Sequence, residues 1–201
     1  MTEKRAADHP IEPLILNRWS PRSLTGEAIT DETLFTIFEA ARWAPSAYNS
    51  QPWRIIYAKN GDPHWNLLFN LLVDFNKNWV KNASALILIY SATKSESGKP
   101  MPTHSFDTGA AWQNMALQAT SMGFIMHGMS GFDYEKAAMD CKIPSDFQIE
   151  AMAAIGRRAP IEDLAPEMQK MEHPSTRNPL SSFLFQGTHP IKKAPLNQAA
   201  P

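Results

Sequence analysis

Three short segments of this 201-residue chain carry side chains whose types and spacing suit ligand chemistry. In Arg18-Trp19-Ser20-Pro21-Arg22, two guanidinium groups flank a hydroxyl, and the proline limits backbone freedom between them. Arginine grips phosphate oxygens through two parallel charge-assisted bonds, so the set suits a phosphate or a ribityl chain. Taken alone, a solvated loop with two surface arginines is the better reading. In Ala44-Pro45-Ser46-Ala47-Tyr48-Asn49-Ser50-Gln51-Pro52-Trp53, the short polar side chains Ser46, Asn49 and Gln51 lie between two prolines. Amide side chains donate and accept, as reading a ring edge that does both requires. Turn chemistry after a helix explains them about as well. In Gly128-Met129-Ser130-Gly131-Phe132, two glycines let the backbone approach a ligand closely, or simply turn a strand into a helix.

Other chemistries lack their residues. There is no phosphate-binding G-x-x-x-x-G-K-[ST] loop and no G-x-G-x-x-G fingerprint. Gly128-Met129-Ser130-Gly131 is one residue short of a nucleophile elbow. The six histidines form no i, i+4 pair, which argues against a zinc site. Cys141 has no partner cysteine and reads as structural. No basic stripe interleaves with aromatics, so nucleic acid is not an expected partner.

The elements that position these segments can be read from periodicity. Thr30 can cap a helix to about Ala44, with Leu34, Ile37, Phe38 and Ala41 on one face and Pro45 as its stop. Trp53 to Ala58 reads as a strand and Asn60 to Pro63 as a turn. A second helix is expected from near Pro63, carrying Leu67, Leu68, Leu71 and Leu72. Ala85 to Ser91 is a continuous apolar run, hence a buried strand. Thr93 to Thr103 reads as a mobile loop, followed by a helix from about Phe106 to Met122 with Gly123 as C-cap. Phe124 to His127 is a short strand, Gly128 to Gly131 a turn, Asp133 to Cys141 a helix, and Gln148 to Ile155 a strand. The proline-rich segment from Pro160 onward has little periodicity. The expected fold class is α+β, a central sheet covered by helices.

Composition sets the frame. The chain is 43% hydrophobic with a net charge of -1, which gives no long-range field for nucleic acid or anionic membrane. One cysteine excludes an intrachain disulfide and fits a reducing, cytoplasmic setting. Met1 to Asp8 lacks a signal-peptide apolar run, and Ala83 to Tyr90 is too short to span a bilayer.

In order and wording the segments resemble the nitroreductase family of FMN-dependent enzymes, over nearly the whole chain. Arg18 to Arg22 looks like the family's N-terminal flavin motif, and Glu39 to Trp53 is similar to its most distinctive stretch. Asp107 to Gly123 looks like its central helix, Ala154 to Arg158 like its last core strand and turn. Arg177-Asn178-Pro179-Leu180 resembles the start of its C-terminal arm.

The resemblance implies a nitroreductase-like mixed or antiparallel sheet flanked by helices, one domain over residues 1–201, and a homodimer. The arm from about 160 to 201 would pack on the partner subunit, with FMN at the interface. Arg18, Ser20 and Arg22 would hold phosphate and ribityl chain, Trp19 would add backbone contacts, and Arg177 would reach the same phosphate. Pro45, Ser46 and Asn49 would line the ring from the other subunit. Asn76 would contact the ring edge, and Ser130 and Gly131 would face flavin N5. The implied reaction moves electrons from NADH or NADPH through N5 to a small aromatic acceptor, nitroaromatic or quinone-like, by a ping-pong route. No side chain is needed as a dedicated acid or base, so no catalytic residue is assigned. Related sequences in the family include reductive dehalogenases of iodotyrosine and an enzyme that fragments its own flavin. A non-catalytic FMN-binding dimer is the remaining alternative.

Overall fold

The chain was analysed as a computed structural model, which describes residues 5–189. A short helix, α1 (Pro13–Asn17), leads into the arginine-rich segment. Helix α2 (Asp31–Arg42) begins where the sequence signals it: the Thr30 side chain accepts from the Thr33 amide, satisfying an otherwise unpaired N–H of the first turn. Asp31 and Glu32 in that turn complement the helix dipole. Leu34, Ile37 and Ala41 are buried, as their spacing requires.

Four strands form the sheet: β1 (Trp53–Lys59), β2 (Ala85–Ala92), β3 (Ile125–Met129) and β4 (Phe147–Gly156). Their order is β1-β2-β4-β3 and every pair is antiparallel. Alternate residues of β2 feed two cores. Leu86 and Leu88 join Trp65, Leu68, Trp79 and Ala137 on one face. Ala85, Ile87 and Ile89 join Leu34, Ile37, Ala111 and Met115 on the other. Helices α2 and α5 (His104–Ser121) therefore cover one side. The short helices α3 (Trp65–Phe69), α4 (Asp74–Val80) and α6 (Tyr134–Asp140) cover the other. Burial on both faces explains why β2 is apolar at nearly every position although its neighbours are antiparallel. Each buried leucine contributes about 1.5–3 kcal/mol relative to exposure.

The structure departs from the sequence reading at several places. The helix expected from Pro63 through Leu72 is broken. Leu71 and Leu72 leave helical geometry because their backbone pairs with the turn after β3: Asp133 N donates to Leu71 O, Val73 N donates to Gly131 O, and Leu72 bridges Phe132. Segment 93–103 is tied down by Thr93 N to Asp146 O, Met101 N to Thr93 O and a Lys94–Pro100 bridge. Helix α5 starts at His104, earlier than expected. Gly128 and Met129 belong to β3 rather than to a turn. Gly128 is opposite Ala153, and a Cβ there would lie 3.2 Å from the Trp112 ring. Its small size serves packing.

The segment after Pro160 is not uniformly irregular. A 3-10 turn (Ile161–Asp163) and a short helix α7 (Pro166–Gln169) occur there. Leu164 and Met168 lie in the core of their own chain, and Glu172 is buried. Only from Ser175 to His189 is every residue exposed. The rest of the expected arm, 190–201, and the first four residues lie outside the described residues. Among the described residues no helix is long and apolar enough to cross a membrane.

Candidate functional site

The segment Arg18–Ser23 is anchored by its backbone, which frees its side chains. Arg5 Nη1 donates to Arg18 O at 2.9 Å. His127 Nδ1 meets Pro21 O at 2.9 Å. The buried Glu172 carboxylate accepts from Arg22 N at 2.8 Å and from Ser23 N at 3.0 Å. Ser23 also donates its hydroxyl to Pro160 O. Burial holds the His127 imidazole below its ordinary value, against the Pro21 contact, which favours the charged form; the Arg22 cation adds to the lowering. A neutral ring donating from Nδ1 satisfies this geometry.

Arg18 Nη1 reaches Ser20 Oγ at 3.3 Å, so this pair forms one donor set. Burial, then the Arg5 and Arg177 cations, lower the proton affinity of the Arg18 guanidinium. Arg5 is lowered by burial and then by Arg177. Among the described residues no ion pair neutralises Arg5, Arg18 or Arg177. Arg177 bonds locally, to Ser175 and to Thr176 O. Trp19 does not join this group; its ring lies under Arg158, 5.1 Å from the guanidinium carbon to the centroid.

Arg22 turns elsewhere. Its guanidinium carbon lies 5.9 Å from the Phe75 ring centroid, and its Nε is buried without a hydrogen-bond partner. Beside Phe75 is Asn76, buried in α4. Asn76 Nδ2 donates to Gly131 O at 2.9 Å, and Trp79 Nε1 donates to Asn76 Oδ1 at 3.3 Å. The turn Ser130–Gly131 is thus fixed by α4. Its amides find no acceptor in the described chain, while Gly131 O accepts from both Val73 N and Asn76.

Pro45, Ser46 and Asn49 form a separate group. Between α2 and β1 the chain makes a 3-10 turn (Ala47–Asn49), and Tyr48, Asn49 and Gln51 have φ of 53°, 57° and 46°. Left-handed backbone costs a non-glycine residue about 1–2 kcal/mol, so the surroundings must impose it. The Asp107 carboxylate accepts from Ala47 N at 3.0 Å and from Thr103 Oγ1 at 3.1 Å. Ser46 Oγ accepts from Gln51 N at 3.0 Å. Among the described residues no hydrogen bond, ion pair or ring contact joins this loop to Arg18, Arg22, Asn76 or Gly131 within one chain. Trp43, Tyr48 and Phe106 around it are strongly exposed, at 73%, 105% and 82%.

Sequence reasoning missed Arg5, Asp107, His127 and Glu172. Asp107 had a signal, an acid opening a helix; the other three are isolated residues that only folding brings to the motif. A second polar cluster, Ser91, His104, Ser105 and Glu150, lies elsewhere. The Ser91 Oγ sits 2.5 Å from Glu150 Oε1 and 2.7 Å from His104 Nδ1. His104 Nδ1 also lies 3.5 Å from Glu150 Oε1, so serine and acid share one ring nitrogen instead of flanking the imidazole as a nucleophilic triad requires, and Ser91 itself is fully buried. Burial and Asp140 raise the Cys141 thiol, in keeping with a structural role. No metal-binding cluster occurs among the described residues.

Comparison with known proteins shows the family to which the chain belongs. The Nitroreductase family model matches residues 15–68 and 64–157. The chain belongs to the nitroreductase family and is an oxidoreductase in class. Protein DrgA of Synechocystis sp. is 30% identical over 186 residues, covering 78% of this chain and 85% of its own. An oxygen-insensitive NADPH nitroreductase of Helicobacter acinonychis is 37% identical over 62 residues, 31% of this chain and 29% of its own. A crystal structure of an oxidoreductase containing FMN superposes with a TM-score of 0.90 at 41% identity, covering 96% of this chain and 100% of its own.

Proposed function

We propose that the protein is an FMN-dependent NAD(P)H oxidoreductase acting on a small aromatic acceptor, nitroaromatic or quinone-like. The observation that carries this reading is the gathering of Arg18, Ser20 and Arg177, with no ion-pair partner among the described residues, in a chain whose Asn76–Gly131 pair lies along the same motif. The donor set fits the cofactor. Cations without an acidic partner suit a phosphate. Arg22 Nε, buried and unpaired, suits the polar edge of a ring, so Arg22 serves the ring end rather than the phosphate end. The unpaired amides of Ser130 and Gly131 suit a ring nitrogen that changes protonation.

When bound, the flavin supplies a two-electron carrier between nicotinamide and acceptor. The chain's own residues bind and orient. Asn76 fixes the Ser130–Gly131 turn at the ring edge, and Arg22 holds a positive charge where negative charge develops. Donor and acceptor use one space in turn, giving ping-pong kinetics. The name of the Helicobacter relative supports a nicotinamide donor.

The site is completed in a homodimer, residues 1–201 acting as one domain per subunit. Pro45, Ser46 and Asn49 of one protomer line the ring held by its partner. The support is the held, left-handed loop ringed by exposed Trp43, Tyr48 and Phe106, an apolar patch that solvent alone does not favour. The exposed segment from Ser175 onward, with Phe183 and Leu184 outward, packs on the partner.

The test is spectroscopic. The purified protein should show flavin absorbance that bleaches under argon on adding NADH or NADPH and returns on adding a quinone or nitroarene. A protein that takes up no FMN overturns the reading.

A further inference from the structure

Arg5 lies outside the Arg18–Arg22 motif, yet it is built into it. We infer that Arg5 is a third phosphate ligand of the flavin site, closing a cage with Arg18 and Arg177; this rests on the flavin reading above.

The geometry carries it. Arg5 Nη1 donates to Arg18 O at 2.9 Å, which fixes its guanidinium against the backbone of the residue that reaches Ser20 Oγ. A guanidinium has five N–H donors, and this bond uses one. Arg5 and Arg177 line one cleft of about 690 Å³, together with Ser175 and Thr176. Arg177 comes from a segment far along the chain from the other two; burial first, then Arg177, lowers the proton affinity of Arg5, and burial, then Arg5 and Arg177, lowers that of Arg18. Asp8 lines the same cleft but forms an ion pair with none of them.

Holding like charges together costs free energy unless a ligand neutralises them. A phosphate monoester, with about -1.5 to -2 charge at neutral pH, does so. Two arginines balance that charge; a third adds donors and favours the dianion over an uncharged group. Bound phosphate also ties the start of the chain to the segment around Arg177. The cage therefore recognises the terminal phosphate, and the part of the ligand common to riboflavin owes nothing to Arg5.

Fluorescence titration of flavin-free protein with FMN and with riboflavin tests this, using wild type, Arg5→Met and Arg5→Lys, with Arg18→Met as a reference. In wild type FMN should bind far more tightly than riboflavin. Arg5→Met should weaken FMN about tenfold, the loss of one charge-assisted contact, and leave riboflavin unchanged. Arg5→Lys should recover part of the loss, since a point charge replaces the fork. Thermal melts of the flavin-free Arg5→Met protein should stay close to wild type, the lost bond to Arg18 O being offset by relieved repulsion. Equal losses for FMN and riboflavin, or an unchanged FMN affinity, overturn the role of Arg5. Equal affinity of wild type for FMN and riboflavin overturns the phosphate site itself, and Arg5 with it.

Discussion

Asn76 Nδ2 donates to the carbonyl of Gly131 at 2.9 Å, joining the first turn of α4 to the turn that leaves β3. This contact decides where the Ser130 and Gly131 amides point. A Cβ on Gly131 would lie 2.7 Å from Asn76 Nδ2 and 3.2 Å from Val73 Cγ2. Gly131→Ala is therefore expected to displace Asn76, costing about 1–3 kcal/mol of stability as an overpacked site. Urea melts measure the first effect, and FMN titration should show weakened binding. Wild-type values in both would mean that α4 yields without consequence.

Asp107 holds the loop proposed to serve the partner's flavin, accepting from Ala47 N and Thr103 Oγ1. Asp107→Ala leaves a loop with three left-handed residues short of its anchor. Hydrogen bonds to a charged group contribute about 1.5–3 kcal/mol, and a loss of that order is expected in denaturant unfolding. Dimer dissociation, followed by analytical ultracentrifugation, should rise in parallel. Asp107→Asn should recover part of both, since the amide oxygen still accepts from Ala47.

Glu172 accepts from the Arg22 and Ser23 amides while buried. Glu172→Gln keeps the shape but swaps one acceptor for a donor facing an N–H. Oε1 can still accept from both amides, so the destabilisation of about 1–3 kcal/mol comes from an NH2 group set against Arg22 N, where Oε2 had accepted at 3.0 Å. FMN affinity should fall in the same variant, because the motif backbone loosens. An equally tight FMN complex would separate Glu172 from the site.

The buried His127 gives a pH dependence. Its folded pKa lies below the ordinary imidazole value, chiefly because burial disfavours the charged ring. The unfolded chain therefore takes up a proton near pH 6.5 that the folded chain refuses. This contribution to stability is complete above that pH and is lost as pH falls below it toward the folded value, by at most roughly 1.4 kcal/mol per pH unit. Melts of wild type and His127→Gln between pH 5 and 8 should differ in slope, the variant being flatter below pH 6.5. Parallel curves would show that another group governs the acid limb.

Much of the scaffold was legible in the residues. The cap at Thr30, the apolar face of α2 and the continuous run of β2 are local patterns that burial on both sides of the sheet then realised. The break after Phe69 was not legible. Leu67, Leu68, Leu71 and Leu72 keep a helical period, yet Leu71 and Val73 bond to residues some sixty positions away. Gly128 was misread for the opposite reason: two glycines in a short turn-like segment look alike in sequence, but one packs on Trp112 and the other on Asn76.

The sequence by itself determined the chemistry on offer: arginines around a serine, amides between prolines, a glycine turn, and the order that resembles a family. Side-chain type and local spacing suffice for that, because they are written residue by residue. Only the tertiary structure decided how those groups divide. It set Arg5 against Arg18, turned Arg22 toward Phe75, anchored the motif on Glu172 and His127, and left the Pro45–Asn49 loop with no hydrogen bond, ion pair or ring contact to any of them among the described residues. Those relationships depend on contacts between distant segments, whose cost in chain entropy is met by the packed core and not by local propensity.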